Sequence, residues 1–460
     1  MRLTVIGCGY LGAVHAAAMA DLGHHVLGVE TDPARLALLA RGQAPFYEPG
    51  LDELLRRGAR TGRLRYTAEL DGAAARADVH FLAVGTPQSP SGRGADLSHL
   101  WRAVDSLAAV LPRCVHPDGM PLVVGKSTVP VGTAQQVADR LAGRALVVWN
   151  PEFLREGLAV SDTLRPDRIV YGLPSDPAGA ERARAVLDEV YAPILEADVP
   201  RLTMDYQTAE LVKTAANAFL ATKISFINAM SALCDAAGAD VAVLADAIGR
   251  DARIGHRFLR AGIGFGGGCL PKDLRGLEQR AAELGADGLA SFLDRVDAIN
   301  RGQRDHVTRM ALDALGPDPA GRAVTILGVT FKPDSDDLRD SPVLEVALRL
   351  RDAGAVVTVH DPRGLAGLSR RHPDLRTQPD ALRALEGAEL VILGTEWKEL
   401  TDLDPRAAAA RVARPVLIDA RNALAPSRWT AAGWDYRGIG RHAGPRRSAP
   451  APDRADAAAG

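Results

Sequence analysis

The spacing of apolar and polar residues changes period twice along this chain of 460 residues. In the first part, short β-rich apolar runs alternate with helical stretches. Residues 3–6 form the first run, a helical stretch over 13–22 follows with Gly23 placed to end it, and 25–29 form the second run. Runs at 78–84, 122–124 and 145–148 continue the alternation, which predicts a parallel sheet with crossover helices. From about residue 203 the period becomes helical. Residues 207–234 contain neither Gly nor Pro and carry apolar residues at helical spacing, and 241–248 predict a shorter helix. Alternation resumes with a run at 323–329, a helix at 342–353 and runs at 356–360, 390–393 and 416–418. Residues 446–460 are mostly Ala, Pro, Arg, Ser and Gly, a composition that predicts a disordered tail.

The expected fold is therefore α/β: two Rossmann-like doubly wound parallel-sheet domains joined by a central helical spine. Expected divisions are 1–200, 201–300 and 301–440, with a tail over 441–460. A spine this long suits an inter-domain connector and a dimer interface.

The first run ends in Gly7-Cys8-Gly9-Tyr10-Leu11-Gly12, a G-x-G-x-x-G between a strand and a helix. Gly7 permits a tight turn, Gly9 lets a pyrophosphate approach the backbone, and Gly12 lets helix and strand pack closely. The helix N-terminus offers free N–H groups to phosphates. Glu30 closes the second run, where a carboxylate takes the ribose hydroxyls and repels a 2′-phosphate, so NAD is expected rather than NADP. Arg35 belongs either along the adenosine or in solvent. Thr86, Thr128 and Glu152 each follow a run, at the sheet edge where ligands lie in such folds. Residues 87–94, rich in Ser, Gly and Pro, predict a surface loop.

Cys269 ends the glycine run Gly264-Phe265-Gly266-Gly267-Gly268 and leads into Leu270-Pro271-Lys272-Asp273. Read locally, this is either a structural cysteine beside a flexible loop or a thiol presented at a helix start. In the second reading the helix dipole and Lys272 favour thiolate, and Asp273, one turn on, shares the site. Lys213 and Asn217, four apart on an otherwise small and apolar helix, face solvent or are aimed at charge developing on a carbonyl oxygen. In the last third, Lys332, Arg339 and Arg421 follow strand-like runs and are either surface charges or partners for phosphate and carboxylate groups.

Bulk composition narrows the classes. Hydrophobic residues make up 47% and charged residues 24%, which suits a globular chain of two or three domains. A net charge of −2 gives no basic field for nucleic acid. Cys8, Cys114, Cys234 and Cys269 form no CxxC pair, which argues against a zinc site or disulfide framework and fits a reducing cytoplasm. No apolar stretch is long enough to span a bilayer, and no signal peptide precedes the first run.

Together, G-C-G-Y-L-G at 7–12, K-S-T-V-P-V-G-T at 126–133, N-P-E-F-L-R-E-G at 150–157, G-F-G-G-G-C-L-P-K-D at 264–273 and T-F-K-P-D-S-D-D-L-R-D-S-P at 330–342 resemble the nucleotide-sugar 6-dehydrogenases of the UDP-glucose/GDP-mannose dehydrogenase family. The resemblance runs in order from residue 1 to about 440. It implies oxidation of a sugar C6 alcohol to a carboxylate with two NAD⁺, without release of the aldehyde. It implies Cys269 as the nucleophile, Lys213 and Asn217 as stabilisers of the alkoxide and oxyanion, Asp273 and Glu152 as acid/base and water-handling carboxylates, and Thr128 as a holder of the reactive water. Lys213, Asp273 and water share the first proton transfer in a way the resemblance does not divide.

The resemblance further implies cofactor contacts from Tyr10, Leu11, Thr86, Thr128, Glu152 and Lys272, with Arg339 on the NAD pyrophosphate. Substrate contacts are implied for Phe153, Leu154, Phe258, Arg260, Phe265, Gly266, Phe331, Lys332 and Arg421, beside Lys213 and Asn217. Arg253 matches an arginine that reaches the partner's active site in a homodimer. Within the resemblance, Gly268 and the following L-P-K-D point away from a UDP-N-acetylhexosamine as substrate, and the K-P-D-S-D-D stretch and Y-E-P-G-L-D-E-L at 47–54 favour UDP-glucose over GDP-mannose. The chain departs from the family's usual residues at Gly268, where serine is frequent, at Glu30, where aspartate is commoner, and at Gly85, where asparagine often stands.

Overall fold

The structure, a computed structural model, describes residues 1–441 except 71, 73–75, 90–93, 112–118 and 142. Cys114, the middle of the surface loop expected at 87–94 and the tail expected from 446 lie outside the described residues.

Eight strands form the first sheet: β1 (Arg2–Ile6), β2 (His25–Val29), β3 (Leu64–Thr67), β4 (Val79–Leu82), β5 (Leu122–Gly125), β6 (Leu146–Trp149), β7 (Ile169–Leu173) and β8 (Arg201–Asp205). Their order is β3-β2-β1-β4-β5-β6-β7-β8. Pairing is parallel except at β6–β7, which meet antiparallel through Trp149 and Gly172. Six more strands form the second sheet: β9 (Ala323–Leu327), β10 (Val356–His360), β11 (Arg376–Thr377), β12 (Leu390–Leu393), β13 (Val416–Asp419) and β14 (Asp435–Gly438). This sheet is parallel throughout, in the order β11-β10-β9-β12-β13-β14. Strand order reverses beside β1 in the first sheet and beside β9 in the second, and ligand crevices open at such switch points.

Central strands are buried on both faces, which is why they read as continuous apolar runs: β4, β5, β12 and β13 have every residue buried. Apolar clusters fill both faces of each sheet. Each fully buried Leu or Val contributes roughly 1.5–3 kcal/mol. β3, β7 and β8, which the spacing did not predict, lie at or near the sheet's ends; β8 has four of its five residues exposed, so no apolar run marks it.

The middle is helical. Tyr206–Ala237 is a single helix of 32 residues, started by the Asp205 side chain, which accepts from the Thr208 N–H, and closed by Gly238 in the left-handed region. It packs against the helices Leu270–Glu283 and Asp287–Leu315 through Ala218, Ala221, Leu274, Leu277, Leu293 and Val296. Asp287–Leu315 then carries Val307, Ala311 and Leu315 into the core of the second sheet. Among the described residues, no helix is long and apolar enough to cross a membrane.

Candidate active site

Gly7 adopts φ +88°, in the region that favours glycine, and turns the chain from β1 into the helix Tyr10–Asp21. That helix starts three residues earlier than its apolar spacing predicts, directly after Gly9, so the turn itself supplies its first free N–H groups. A Cβ on Gly12 would come 1.8 Å from the Gly7 carbonyl oxygen, while one on Gly9 would meet nothing within 4 Å. The turn is thus closed towards the sheet and open towards the cleft, as a pyrophosphate requires. At the end of β2, Glu30 is buried; its Oε1 accepts the Asp32 N–H at 2.9 Å and its Oε2 pairs with Arg35 at 3.1 Å. An open glycine turn, a helix start and a buried carboxylate at the next strand end fit a dinucleotide.

One cleft of about 760 Å³ joins this turn to the cysteine. Its walls include Gly9, Tyr10, Leu11, Glu30 and Arg35 on one side and Gly268, Cys269, Lys272 and Arg339 on the other. Thr86, Thr128, Glu152 and Leu154 line it between them. The Thr86 hydroxyl donates to the Thr128 carbonyl at 2.7 Å and so braces two of the strand-end loops against each other.

Around the thiol, three elements converge. Lys213 and Asn217 come from the long helix, Glu152 from the loop after β6, and Asp273 from the first turn of the helix Leu270–Glu283. Lys213 is 4% exposed and its Nζ lies 3.1 Å from Glu152 Oε1. Asn217 Nδ2 donates to Asp273 Oδ2 at 2.7 Å, and Lys272 Nζ donates to Asp273 Oδ1 at 2.7 Å. Glu152 Oε2 accepts the Leu154 N–H at 2.7 Å, which fixes the carboxylate. Phe153 places its ring beneath Arg168, 3.9 Å away, with Lys213 Nζ 5.8 Å from its centre on the same ring system. Burial opposes the charge on Lys213, but Glu152, Cys269 and Asp273 together hold its pKa above the ordinary lysine value. Lys213 is therefore a fixed cation.

Two expectations about the cysteine are corrected. The glycine run is not a flexible loop: residues 261–267 are all buried, and a Cβ on Gly266 would come 2.2 Å from the Asp340 carbonyl oxygen. Here the glycines buy close backbone approach, and Asn300 locks the run by accepting from the Phe265 N–H and donating to its carbonyl. Nor does Lys272 tip Cys269 towards thiolate, because its ammonium is engaged by Asp273. Cys269 caps the helix that starts at Leu270. Crowding by protein pushes its thiol up to about 12, Lys213 pulls it down, and Asp273 and Glu152 push it further up. Because the side chain itself opens to the cleft, solvent moderates the first of these effects.

The remaining expected residues divide. Phe331 and Arg421 pack on the glycine run: a Cβ on Gly267 would lie 2.7 Å from the Phe331 ring, and Arg421 donates to the Gly264, Phe331 and Gly394 carbonyls. Lys332 donates to the Glu156 carbonyl. Arg339 donates to Asp337 and Glu156, and Gly268, the departure from serine, leaves room for its guanidinium, since a Cβ there would lie 2.5 Å from Cζ. Arg339 lines the cleft, whereas Phe331, Lys332, Arg421, Arg253, Phe258 and Arg260 lie outside its walls. Arg253 is 89% exposed at its side chain and pairs with Asp251, Phe258 holds φ +64°, and Arg260 reaches Glu396 at 3.9 Å.

The spacing passed over two acids. Glu156 is buried in the cleft wall, and burial pushes its carboxyl up to about 7 despite Arg339, Ser335 and Lys332 nearby. It is the second acid of N-P-E-F-L-R-E-G, directly before a glycine at φ +79°. Glu210 accepts the Gly132 and Ala134 N–H groups at 2.7 and 2.6 Å, so the helix bearing Lys213 holds the loop bearing Thr128. An acid one turn before a lysine on an apolar helix was the available signal.

Comparison with known proteins agrees along 96% of the chain. Residues 1–195 match the NAD binding domain of the UDP-glucose/GDP-mannose dehydrogenase family, 207–302 its central domain and 325–426 its UDP binding domain. The UDP-glucose 6-dehydrogenase of Rhizobium meliloti (strain 1021) is 40% identical over 446 residues, covering 96% of this chain and 100% of that protein. The UDP-glucose 6-dehydrogenase of Pseudomonas aeruginosa is 41% identical over 456 residues, covering 96% of this chain and 98% of that protein. Among solved structures, a UDP-glucose dehydrogenase from the hyperthermophilic archaeon Pyrobaculum islandicum superimposes with a TM-score of 0.86 at 37% identity, covering 95% of this chain and 97% of that one. With an NAD-binding first domain and a UDP-binding last domain in family order, the chain belongs to the UDP-glucose/GDP-mannose dehydrogenase family.

Proposed function

We propose that this protein is an NAD-dependent UDP-glucose 6-dehydrogenase, oxidising the C6 alcohol of UDP-glucose to the carboxylate of UDP-glucuronate. The observation that carries the reading is a cleft in which a dinucleotide turn meets Cys269 and Glu152, with Lys213 paired to that Glu152 and Asn217 bonded to Asp273 on the helix that Cys269 starts. UDP-glucose is favoured over GDP-mannose because the relatives at 40% and 41% identity, and the solved structure at 37%, are named for it.

When bound, NAD supplies the hydride acceptor for each of two oxidations. Gly7, Gly9 and Gly12 with the helix start at Tyr10 and Leu11 take its pyrophosphate, joined by Arg339, and Glu30 takes a ribose. Thr86, Arg35 and Lys272 complete that wall. On the sugar, Lys213 and Asn217 stabilise the alkoxide of the first oxidation while its proton passes towards Asp273 or water. Cys269, losing its own proton, adds to the aldehyde carbon and forms a C–S bond; Lys213 and Asn217 hold the resulting oxyanion. Loss of a second hydride from that carbon leaves a thioester on Cys269. Water, held by Thr128 and Glu152, attacks the thioester, breaks the C–S bond and returns the thiol with the acid. One UDP-glucose, two NAD⁺ and one water give one UDP-glucuronate, two NADH and three protons.

Phe153, Leu154, Phe258, Arg260, Phe265, Gly266, Phe331, Lys332 and Arg421 surround the nucleotide sugar in this reading. The chain divides at 1–200, 201–300 and 301–440 into dinucleotide, spine and nucleotide-sugar parts, and a thiol-dependent centre suits the cytoplasm. The protein acts as a homodimer in which Arg253 serves the partner's site. Phe219, Phe226 and Leu233 support this: they recur every seven residues on one face of the long helix and are 67%, 52% and 58% exposed.

The test is NADH formed per sugar consumed, with UDP-glucose and GDP-mannose offered separately. Two NADH per UDP-glucose are expected. Two per GDP-mannose would overturn the sugar, and one per sugar with free aldehyde would overturn the role of Cys269.

A further inference from the structure

Glu48, in the Y-E-P-G-L-D-E-L stretch, has no part in the chemistry above, yet it is 6% exposed and fully engaged. Its Oε2 accepts the Tyr10 hydroxyl and the Gly157 N–H, the latter at 2.7 Å. Its Oε1 accepts the Ala159 N–H at 2.7 Å and the Val160 N–H at 3.5 Å. The Tyr10 oxygen in turn accepts the Gly157 N–H at 3.1 Å. One carboxylate therefore holds two distant pieces of chain. The first is Tyr10, the opening residue of the fingerprint helix, whose ring also lies 4.5 Å from that of Phe46. The second is the end of the loop that begins at Glu152 and runs through Leu154 and Glu156 into the helix Ala159–Leu164.

The loop end continues the connection to the second sheet. A Cβ on Gly157 would lie 2.6 Å from the Asp334 carbonyl oxygen, and the residue before it, Glu156, accepts from Ser335, Arg339 and Lys332. The charge of Glu48 also reaches Lys332, whose pKa burial lowers while Glu156 and Glu48 raise it. Burying a carboxylate is costly unless its oxygens are satisfied, and here every bond goes to one of these two segments. Removing any partner leaves part of that cost uncompensated. The two segments are thus energetically tied through one side chain.

We infer that Glu48 is a positioning residue that couples the dinucleotide turn to the loop 152–160, so that filling the dinucleotide site through Tyr10 orders the loop on which the nucleotide sugar is held. This deepens the proposed function and rests on it for the identity of the second ligand. Bound dinucleotide fixes the start of the fingerprint helix, Tyr10 then fixes Glu48, and Glu48 fixes the Gly157 and Ala159 amides.

The experiment is amide hydrogen exchange on the full chain with and without saturating NADH, for the native protein, Tyr10→Phe and Glu48→Gln. Tyr10→Phe cuts the link but leaves the Glu48 bonds to 157–160. NADH is expected to slow exchange over 155–162 by about fivefold or more in the native protein and to leave it nearly unchanged in both variants. A purely structural Glu48 would lower the melting temperature of Glu48→Gln but leave the NADH response intact. Equal NADH protection in all three proteins, or none in the native one, overturns the inference. Because this readout needs only NADH, it is independent of the sugar. A second titration with UDP, alone and with NADH, separates the two claims. Failure to bind UDP overturns the substrate reading; UDP affinity raised by NADH equally in native protein and Tyr10→Phe overturns the coupling.

Discussion

Asn217 and Asp273 meet in a 2.7 Å hydrogen bond between two helices that are 56 residues apart in sequence. The bond orients the amide of Asn217 against the first turn of the helix that Cys269 starts, while the other oxygen of Asp273 is held by Lys272. An amide so fixed costs no reorganisation when charge develops on the substrate oxygen, which is the condition for strong electrostatic catalysis.

Asn217→Ala is accordingly expected to lower kcat by about 10²–10³-fold with a much smaller change in the KM for the nucleotide sugar. Asp273→Asn keeps a group able to accept from Asn217 but removes the carboxylate, so it separates orientation from proton handling. Steady-state kinetics with UDP-glucose check both variants. A change confined to KM would place Asn217 in ground-state binding.

The state of Cys269 gives a second expectation. With its thiol pushed up to about 12 and Lys213 the principal influence pulling it down, the thiolate fraction rises with pH throughout the neutral range. Alkylation of Cys269 by iodoacetamide, followed at that residue by mass spectrometry, is expected to accelerate about tenfold per pH unit between pH 6 and 9. Lys213→Ala should be slower than the native protein at each pH. A plateau near pH 7 would mean a preformed thiolate. Cys269→Ala is expected to lose turnover to the acid by roughly 10³-fold or more.

Much of this was legible in the chain. The strands that bracket both switch points are apolar runs because they are buried on both faces, and 356–360 and 390–393 coincide with β10 and β12 residue for residue. The motifs also pointed to the cleft, since Gly7, Glu30, Thr128, Glu152 and Cys269 each stand at a strand or helix end. Less visible was what depends on partners distant in sequence. Nothing local shows that Lys272 is taken by Asp273, that glycines 264–268 are packed rather than mobile, or that Glu48 reaches Gly157, 109 residues on. Close backbone approach and flexibility use the same residue type, so composition cannot separate them.

Glu156 carries a stability expectation with a definite sign. Burial first, then Asp337, raises its carboxyl from 4.5 to about 7 in the folded chain. The folded state therefore binds that proton more tightly than the unfolded one. Its stabilising contribution is present in full below about pH 4.5 and is lost as pH rises through about 7, amounting to at most about 3 kcal/mol. Glu156→Gln removes the titration. Its stability relative to the native protein, from urea unfolding, should be lower at pH 5 than at pH 8. A gap that does not change with pH would mean that Glu156 does not titrate in this window.

The exposed stripe of Phe219, Phe226 and Leu233 and the exposed Arg253 make one joint expectation. Two copies of the long helix placed face to face would bury the stripe, and a charge on it would prevent that, because an unpaired carboxylate in an apolar interface is strongly disfavoured. Phe226→Glu is expected to sediment as a monomer and to lose most of its activity while keeping its fold by circular dichroism. Arg253 supplies the reason for the lost activity if it completes the partner's site. Dimers mixed from Cys269→Ala and Arg253→Ala chains then contain one complete centre: the Cys269 of the second chain with the arginine of the first. Mixing two inactive proteins should recover a fraction of native activity, at most about half per dimer. Recovery would be absent if Arg253 acted within its own chain, and a Phe226→Glu protein that stayed dimeric would move the interface off this helix.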